Sequence, residues 1–249
     1  MDEPLIKIRG IDKAFGPNRV FEGLDLDVRR GETLSILGPS GSGKSVLLKL
    51  LIGLQRADAG SIVFDGTEVT TLDEAALLPV RKRVSMLFQG GALFDSLTVG
   101  ENIAYPLRRY GFAPSEIADR IADRLSLVGL PDTAHLMPSE LSGGMKKRVA
   151  LARSIAGNAE VLLYDEPTAG LDPQNTRRID ELIRSIQERL KVTSLVVTHD
   201  LPTAFLISDR LAMLGERRIQ AVLSPSEFRH SPLPAIRDFV EAMPLPEVS

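Results

Sequence analysis

The run Gly38-Pro39-Ser40-Gly41-Ser42-Gly43-Lys44-Ser45 constrains this chain more than any other stretch. It follows a short apolar segment, Thr33 to Leu37, and precedes Lys44 to Leu54, where Val46, Leu47, Leu50 and Leu51 mark one helical face. The loop between them is too rich in glycine for helix or strand. Strand, glycine loop and helix in that order open a nucleotide-binding α/β unit. The glycines let the backbone wrap so that its N–H groups converge on phosphate oxygens. The helix opening at Lys44 adds the positive end of its dipole. In such a loop Lys44 reaches the β- and γ-phosphates and the Ser45 hydroxyl ligates Mg²⁺. A glycine-rich turn that merely caps a helix is the alternative, and the flanking strand and helix speak against it.

A second element of the same chemistry is Val161-Leu162-Leu163-Tyr164-Asp165-Glu166, an apolar strand ending in two acids. Neighbouring strand side chains face opposite ways, which argues against a shared-proton pair. Separate roles fit better: Asp165 holding Mg²⁺ through water, Glu166 polarising the attacking water. Without the phosphate loop, two acids at a strand end would read as a solvated turn. His199 follows the apolar run Ser194 to Val197 and is placed either to meet a γ-phosphate or to serve as a structural histidine. No two histidines have metal-ligand spacing, so a zinc site is not expected.

Leu141-Ser142-Gly143-Gly144-Met145-Lys146-Lys147-Arg148 opens a helix running to about Ala156, with Ser142 as its cap. Three basic residues near a helix start oppose the dipole. An anion docking there would explain them; a solvated basic face would do so equally well.

The rest of the chain supplies the frame. Leu5 to Arg9 and Leu24 to Val28 alternate as half-buried strands, and Ser61 to Phe64 and Val84 to Phe88 are strand candidates. Between about Leu97 and Ala156 the texture turns helical, with Ile117, Ile121, Leu125 and Val128 in helical register. Val161 to Tyr164 and Ser194 to Thr198 are buried strands flanking a helix from Gln174 to Leu190. Arg210 to Leu214 and Arg218 to Val222 form a closing hairpin, and Ile236 to Ala242 a short helix in a proline-rich tail. One domain spanning residues 1–249 is expected: residues 5–94 and 157–230 form the nucleotide-binding core, 95–156 a helical subdomain, 231–249 a tail.

Composition removes several alternatives. Thirty basic and 33 acidic residues give a net charge of −3, so there is no overall field toward nucleic acid. With no cysteine, disulfides, thiolate metal sites and cysteine nucleophiles are excluded. The acidic start Met1-Asp2-Glu3-Pro4 does not read as a secretory signal, and no apolar run is long enough to span a bilayer. Work at a membrane would need a partner.

Together these residues resemble the ABC ATPase family over almost the whole chain. Leu141 to Met145 resembles its signature motif, with Met145 where glutamine is commonest. Gln89 resembles the Q-loop residue, which senses Mg²⁺ and the transmembrane partner. Gly170-Leu171-Asp172 resembles the D-loop, His199 the switch histidine and Phe15 the aromatic that stacks on adenine. The resemblance implies a P-loop fold with a RecA-like core, an antiparallel β subdomain and an inserted helical subdomain. It implies ATP as substrate, held by Phe15, Gly38, Pro39, Ser40, Gly41, Ser42, Gly43, Lys44, Ser45, Val46 and Gln89. Ser142, Gly143 and Gly144 would act in trans, from the second copy of a head-to-tail homodimer. Ser45, Gln89 and Asp165 would hold Mg²⁺, with Glu166, His199 and Lys44 catalytic.

The segment Gly90 to Ile103 (GGALFDSLTVGENI) resembles in particular the Mla-type phospholipid transport ATPases, as does Met145 followed by Lys146-Lys147-Arg148. That likeness implies an MlaE-like permease, MCE-type and small accessory subunits, phospholipid as cargo, no nucleic acid, and a peripheral place on the cytoplasmic face of the inner membrane. An amino-acid importer or a lipoprotein-release system is the runner-up. A soluble ABC protein of DNA repair or ribosomes would need a long coiled coil or two fused ATPase domains, for which 249 residues leave no room. A non-catalytic nucleotide-binding regulator is disfavoured because Lys44, Asp165, Glu166 and His199 occur together.

Overall fold

The computed structural model describes residues 3–242. In chain order these form β1 (Ile6–Phe15), β2 (Asn18–Val28), β3 (Thr33–Leu37), α1 (Lys44–Leu51), β4 (Ala59–Phe64), β5 (Thr67–Glu68), α2 (Leu77–Arg83) and β6 (Val84–Leu87). Then follow α3 (Val99–Arg109), α4 (Pro114–Leu127), α5 (Gly143–Ser154), β7 (Val161–Asp165), α6 (Pro173–Leu190), β8 (Thr193–Val197) and α7 (Leu201–Ile207). The described chain closes with β9 (Arg210–Gly215), β10 (Arg218–Leu223), α8 (Pro225–Arg229) and α9 (Pro234–Ala242).

β1 and β2 are longer than the alternation of Leu5 to Arg9 and Leu24 to Val28 predicts, and they meet at a tight turn where Phe15 pairs with Asn18. The reason is visible in the pairing. Register breaks between Ile8 and Ile11, Ile11 and Lys13, and Lys13 and Ala14 interrupt the period-2 pattern, so the outer half of the hairpin does not alternate. With β4 and β5 these strands make an antiparallel sheet in the order β2-β1-β4-β5.

The second sheet runs β10-β9-β3-β8-β7-β6. Its neighbours pair in parallel except β9 and β10, the hairpin expected at Arg210 to Val222. Every residue of β3, β7 and β8 is buried, which is why these segments read as unbroken apolar runs. One core lies between the two sheets, joining Ile8, Phe21 and Leu24 to Ile36, Leu163 and Leu195. The opposite face of β6–β8 is covered by α3, α5 and α6 through Ile103, Leu151 and Ile183. Leu37 and Leu211 pack on Leu201, Phe228 and Ile236 of α7, α8 and α9. The helices α2, α7 and α8, of seven, seven and five residues, escape a sequence reading because they are too short to show a period. Residues 243–249 of the expected tail lie outside the described residues.

The two sheets are tied at one edge by charge. Arg210 of β9 reaches Glu32 twice, Nε to Oε2 at 2.9 Å and a terminal nitrogen to Oε1 at 2.8 Å, and donates to the carbonyl of Asp27 at 2.9 Å. Glu32 is buried. Removing one partner strands the other charge, so Arg210→Met should lower unfolding stability by about 3 kcal/mol. Urea unfolding measures this; a loss under about 1 kcal/mol would place the pair among weak surface bridges.

Candidate active site

Strand register builds the site. Ile36 of β3 lies beside Val197 of β8, Val197 beside Asp165 of β7, and Leu87 of β6 beside Tyr164. The carboxyl ends of four parallel strands are therefore level, and what leaves them converges. This is where open α/β sheets bind ligands. Ser40, Gly41, Gly43, Lys44, Ser45, Val46, Gln89, Glu166 and His199 line one cleft there.

The glycine loop is shaped by contacts that admit no side chain at two points. Gly43 sits at φ 100°, and a Cβ there would lie 2.4 Å from Val20 Cγ1 and 3.0 Å from Phe21 Cε1. A Cβ on Gly38 would lie 2.4 Å from the carbonyl oxygen of Leu214. The Lys44 ammonium is folded over its own loop, donating to Gly38 O at 2.8 Å and Pro39 O at 3.1 Å. Burial pushes its pKa down, while Glu166 and Asp165 oppose that shift. Ser42 Oγ is buried without a partner.

Ser45 Oγ donates to Asp165 Oδ1 at 2.6 Å. Asp165 is buried, and burial pushes its carboxyl pKa up; the Ser45 hydrogen bond pulls it down and the charge of Glu166 raises it further. A hydroxyl and a carboxylate oxygen so close, with Ser45 lining the same cleft as Gln89, offer hard oxygens of the kind Mg²⁺ takes. The orphaned Ser42 hydroxyl and the glycine cradle suit phosphate in the same way. The residues present fit both groups.

Strand alternation alone does not describe the acidic pair. Asp165 ends β7, and Glu166 turns out of the strand at φ 48°, a left-handed conformation that is uncommon for a side-chain-bearing residue. Its Oε2 accepts from Thr198 Oγ1 at 3.2 Å and from the His199 backbone N–H at 3.4 Å, and lies 2.9 Å from His199 Nδ1. Thr198 was not singled out from the sequence; a hydroxyl following an apolar strand leaves no periodic signal.

The basic run after the signature needs correction. Lys147 is buried; its Nζ donates to the carbonyl of Gln89 and, at 3.4 Å, to that of Glu166. Arg148 donates to the carbonyls of Val128 and Gly129 at 3.1 and 3.0 Å. These two cations are engaged by carbonyl groups of the fold, so the run is neither a free basic face nor a reason to infer a docked anion. Lys147 instead braces the Gln89 and Glu166 backbones.

Four expected contributors, Phe15, Ser142, Gly143 and Gly144, are not among the residues that line the cleft. Phe15 ends β1, 45% exposed, with Lys13 Nζ 5.0 Å from its ring centre. Ser142 caps α5, accepting from Met145 N at 3.3 Å, and Gly143 and Gly144 form its first turn. A Cβ on Gly144 would lie 2.7 Å from Asn175 Oδ1 at the start of α6, which gives this glycine a packing reason of its own.

Comparison with known proteins agrees with this geometry. The ABC transporter family profile matches residues 21–169. The methionine import ATP-binding protein MetN of Rhizobium johnstonii is 42% identical over 87% of this chain, which spans 60% of that relative's length. The intermembrane phospholipid transport system ATP-binding protein MlaF of Escherichia coli K12 is 40% identical over 96% of this chain and 89% of its own. Among solved structures, the ATP-binding cassette MJ0796, a dimer in a post-hydrolysis state bound to ADP and Pi, superposes with a TM-score of 0.81 at 30% identity over 88% of this chain and 98% of that one. The cbiO1 protein of Clostridium perfringens gives 0.85 at 27% identity over 98% and 97%. The chain belongs to the ABC transporter family, as its ATP-binding, ATP-hydrolysing cassette.

Proposed function

We propose that this chain is the ATPase subunit of a transporter that moves phospholipid between the inner and outer membranes of a diderm bacterium, bound peripherally to the cytoplasmic face of the inner membrane. No helix among the described residues is long and apolar enough to cross a membrane. Attachment would fall to an MlaE-like permease, with MCE-type and small accessory subunits beyond it. The segment Gly90 to Ile103 carries the reading. Buried Asn102 anchors its loop, Nδ2 donating to the carbonyls of Phe94, Leu97 and Thr98 while Oδ1 accepts from Phe94 N. Arg153 holds the carbonyls of Gly91 and Ala92 at 2.7 and 2.8 Å. On this fixed loop Phe94 is exposed and packs against exposed Tyr105, the ring centres 4.7 Å apart and the planes tilted by 47°. An exposed aromatic pair on a braced loop suits a hydrophobic partner surface.

Within the cassette, Lys44 and the loop N–H groups would hold the phosphates, and Ser45, Asp165 and Gln89 would hold Mg²⁺, which would supply charge neutralisation. Glu166 accepts a proton from the attacking water, and His199, fixed through Nδ1, faces the γ-phosphate. Phe15 stacks on adenine. Ser142, Gly143 and Gly144 lie apart from the cleft of their own chain, which supports their acting on a second copy's nucleotide.

Import of an amino acid such as methionine is the second reading, supported by the MetN relative. Purification of the chain from detergent-solubilised membranes separates the two: an MlaE-like permease is expected to accompany it, and a methionine permease in its place would decide for import.

A further inference from the structure

Asp180 on α6 is buried, yet it lies outside the cleft and the roles above leave it unused. Its Oδ2 is 3.1 Å from Thr203 Oγ1 on α7, and its Oδ1 has no partner. The same Thr203 hydroxyl is 3.3 Å from Asp200 Oδ2, while Asp200 Oδ1 accepts from Thr203 N at 3.3 Å and caps the helix. Asp200 N in turn donates to Thr198 Oγ1 at 3.0 Å. That hydroxyl donates to Glu166 Oε2, which faces His199 Nδ1. An unbroken series of hydrogen bonds thus leads from a buried carboxyl on α6 to the Glu166–His199 pair.

Proton counting gives the series a direction. Thr203 has one hydroxyl proton and two carboxylates within reach. With Asp180 ionised, that proton serves only one of them, and Asp180 remains a buried anion with an unpaired oxygen. With Asp180 protonated, its O–H donates to Thr203 and Thr203 donates to Asp200, so the Thr203 hydroxyl accepts one bond and gives one. The charged groups around it favour the protonated form. Asp200 at the α7 cap and Glu181 beside it on α6 are both acidic. Arg184, one turn along, is directed to the carbonyl of Leu206 and to Glu188. Among the described residues no cation forms an ion pair with Asp180. Burial pushes its pKa up to about 7; the Thr203 bond lowers it, and Asp200 and Glu181 raise it.

We propose that Asp180 is a positioning residue: its protonated carboxyl, acting through Thr203, Asp200 and Thr198, holds the turn that sets Glu166 and His199. The proposal rests on the catalytic reading of that pair. It makes turnover sensitive to a group that touches neither ATP nor metal, and it fixes the sign. Turnover falls as pH rises through about 7 and Asp180 loses its proton.

The test is kcat and KM for MgATP of the full chain between about pH 5.5 and 9. Asp180→Asn supplies an N–H donor that does not titrate, so it should keep the wild-type rate at low pH and lose the alkaline fall. Asp180→Val, checked for folding by circular dichroism, should lower kcat about tenfold with KM nearly unchanged, because a small misplacement of reacting groups acts on rate. Thr203→Val should match it. A wild-type profile flat through pH 7, an alkaline fall retained in Asp180→Asn, or a folded Asp180→Val with wild-type kcat would each overturn the proposal. Glu166→Gln, measured alongside, separates the two levels. Normal turnover there removes the catalytic reading itself, whereas lost turnover there with an unresponsive Asp180 removes only this inference.

Discussion

Glu166→Gln should reduce ATP turnover by about 10²- to 10⁴-fold, the usual worth of a general base, while leaving ATP bound. The substitution preserves volume and the left-handed backbone at residue 166, so the φ 48° turn carries the same strain before and after. It also keeps a side-chain oxygen for Thr198 Oγ1. What it removes is the negative charge and the basicity. The phosphate loop and the Ser45–Asp165 contact are untouched, so MgATP affinity should stay near wild type. If the cassette pairs around two nucleotides, the blocked step accumulates the ATP-bound dimer. Size-exclusion chromatography with and without MgATP would then show a dimer only with nucleotide. Hydrolysis at the wild-type rate would contradict the role given to Glu166.

The elements best read from sequence are those whose burial is uniform or whose period is unbroken. β3, β7 and β8 lie where their apolar runs place them, because strands buried on both faces need no alternation. α6 is an 18-residue helix capped by Asp172, and its buried Ile179, Ile183 and Ile186 repeat at helical spacing. The β1–β2 hairpin is different. Its inner half was legible, and its outer half was concealed by bulges that reverse the facing of successive residues. The candidate site divides in the same manner. The phosphate loop and the two acids are local in sequence, so Lys44, Ser45 and Glu166 stand out there, whereas Gln89, on the same cleft, is named only through the family resemblance. What braces them is not local. Lys147 is 58 residues from the Gln89 carbonyl it holds, and Thr198 is 32 from Glu166. The level ends of the parallel strands, with α5 packed against the sheet, bring such pairs together. The run Lys146 to Arg148 shows the hazard of charge read in one dimension: helix geometry alone makes three cations look like an anion site, whereas two of them bind carbonyl oxygens from other elements.

Lys44→Met should weaken MgATP binding about 100-fold while the chain stays folded, a loss that two charge-assisted hydrogen bonds at roughly 1.5 kcal/mol each would account for. Methionine keeps the length of the stem in a nearly closed site, so packing of α1 beneath the sheet is conserved and the change isolates the ammonium. That ammonium has two tasks. It satisfies the Gly38 and Pro39 carbonyls, which draws the loop over it. On the proposed reading it would also place a positive charge beside the phosphates, from within a site where burial already disfavours that charge and Glu166 and Asp165 offset the penalty. Charge alone is not sufficient. The planar guanidinium of Lys44→Arg cannot occupy a pocket shaped for a single compact nitrogen between two carbonyls, so this variant should also bind poorly. Titration with MgATP under non-hydrolysing conditions measures both variants, and circular dichroism establishes that they fold. Affinity within about twofold of wild type for Lys44→Met would mean that the loop N–H groups and the helix dipole hold the phosphates without it.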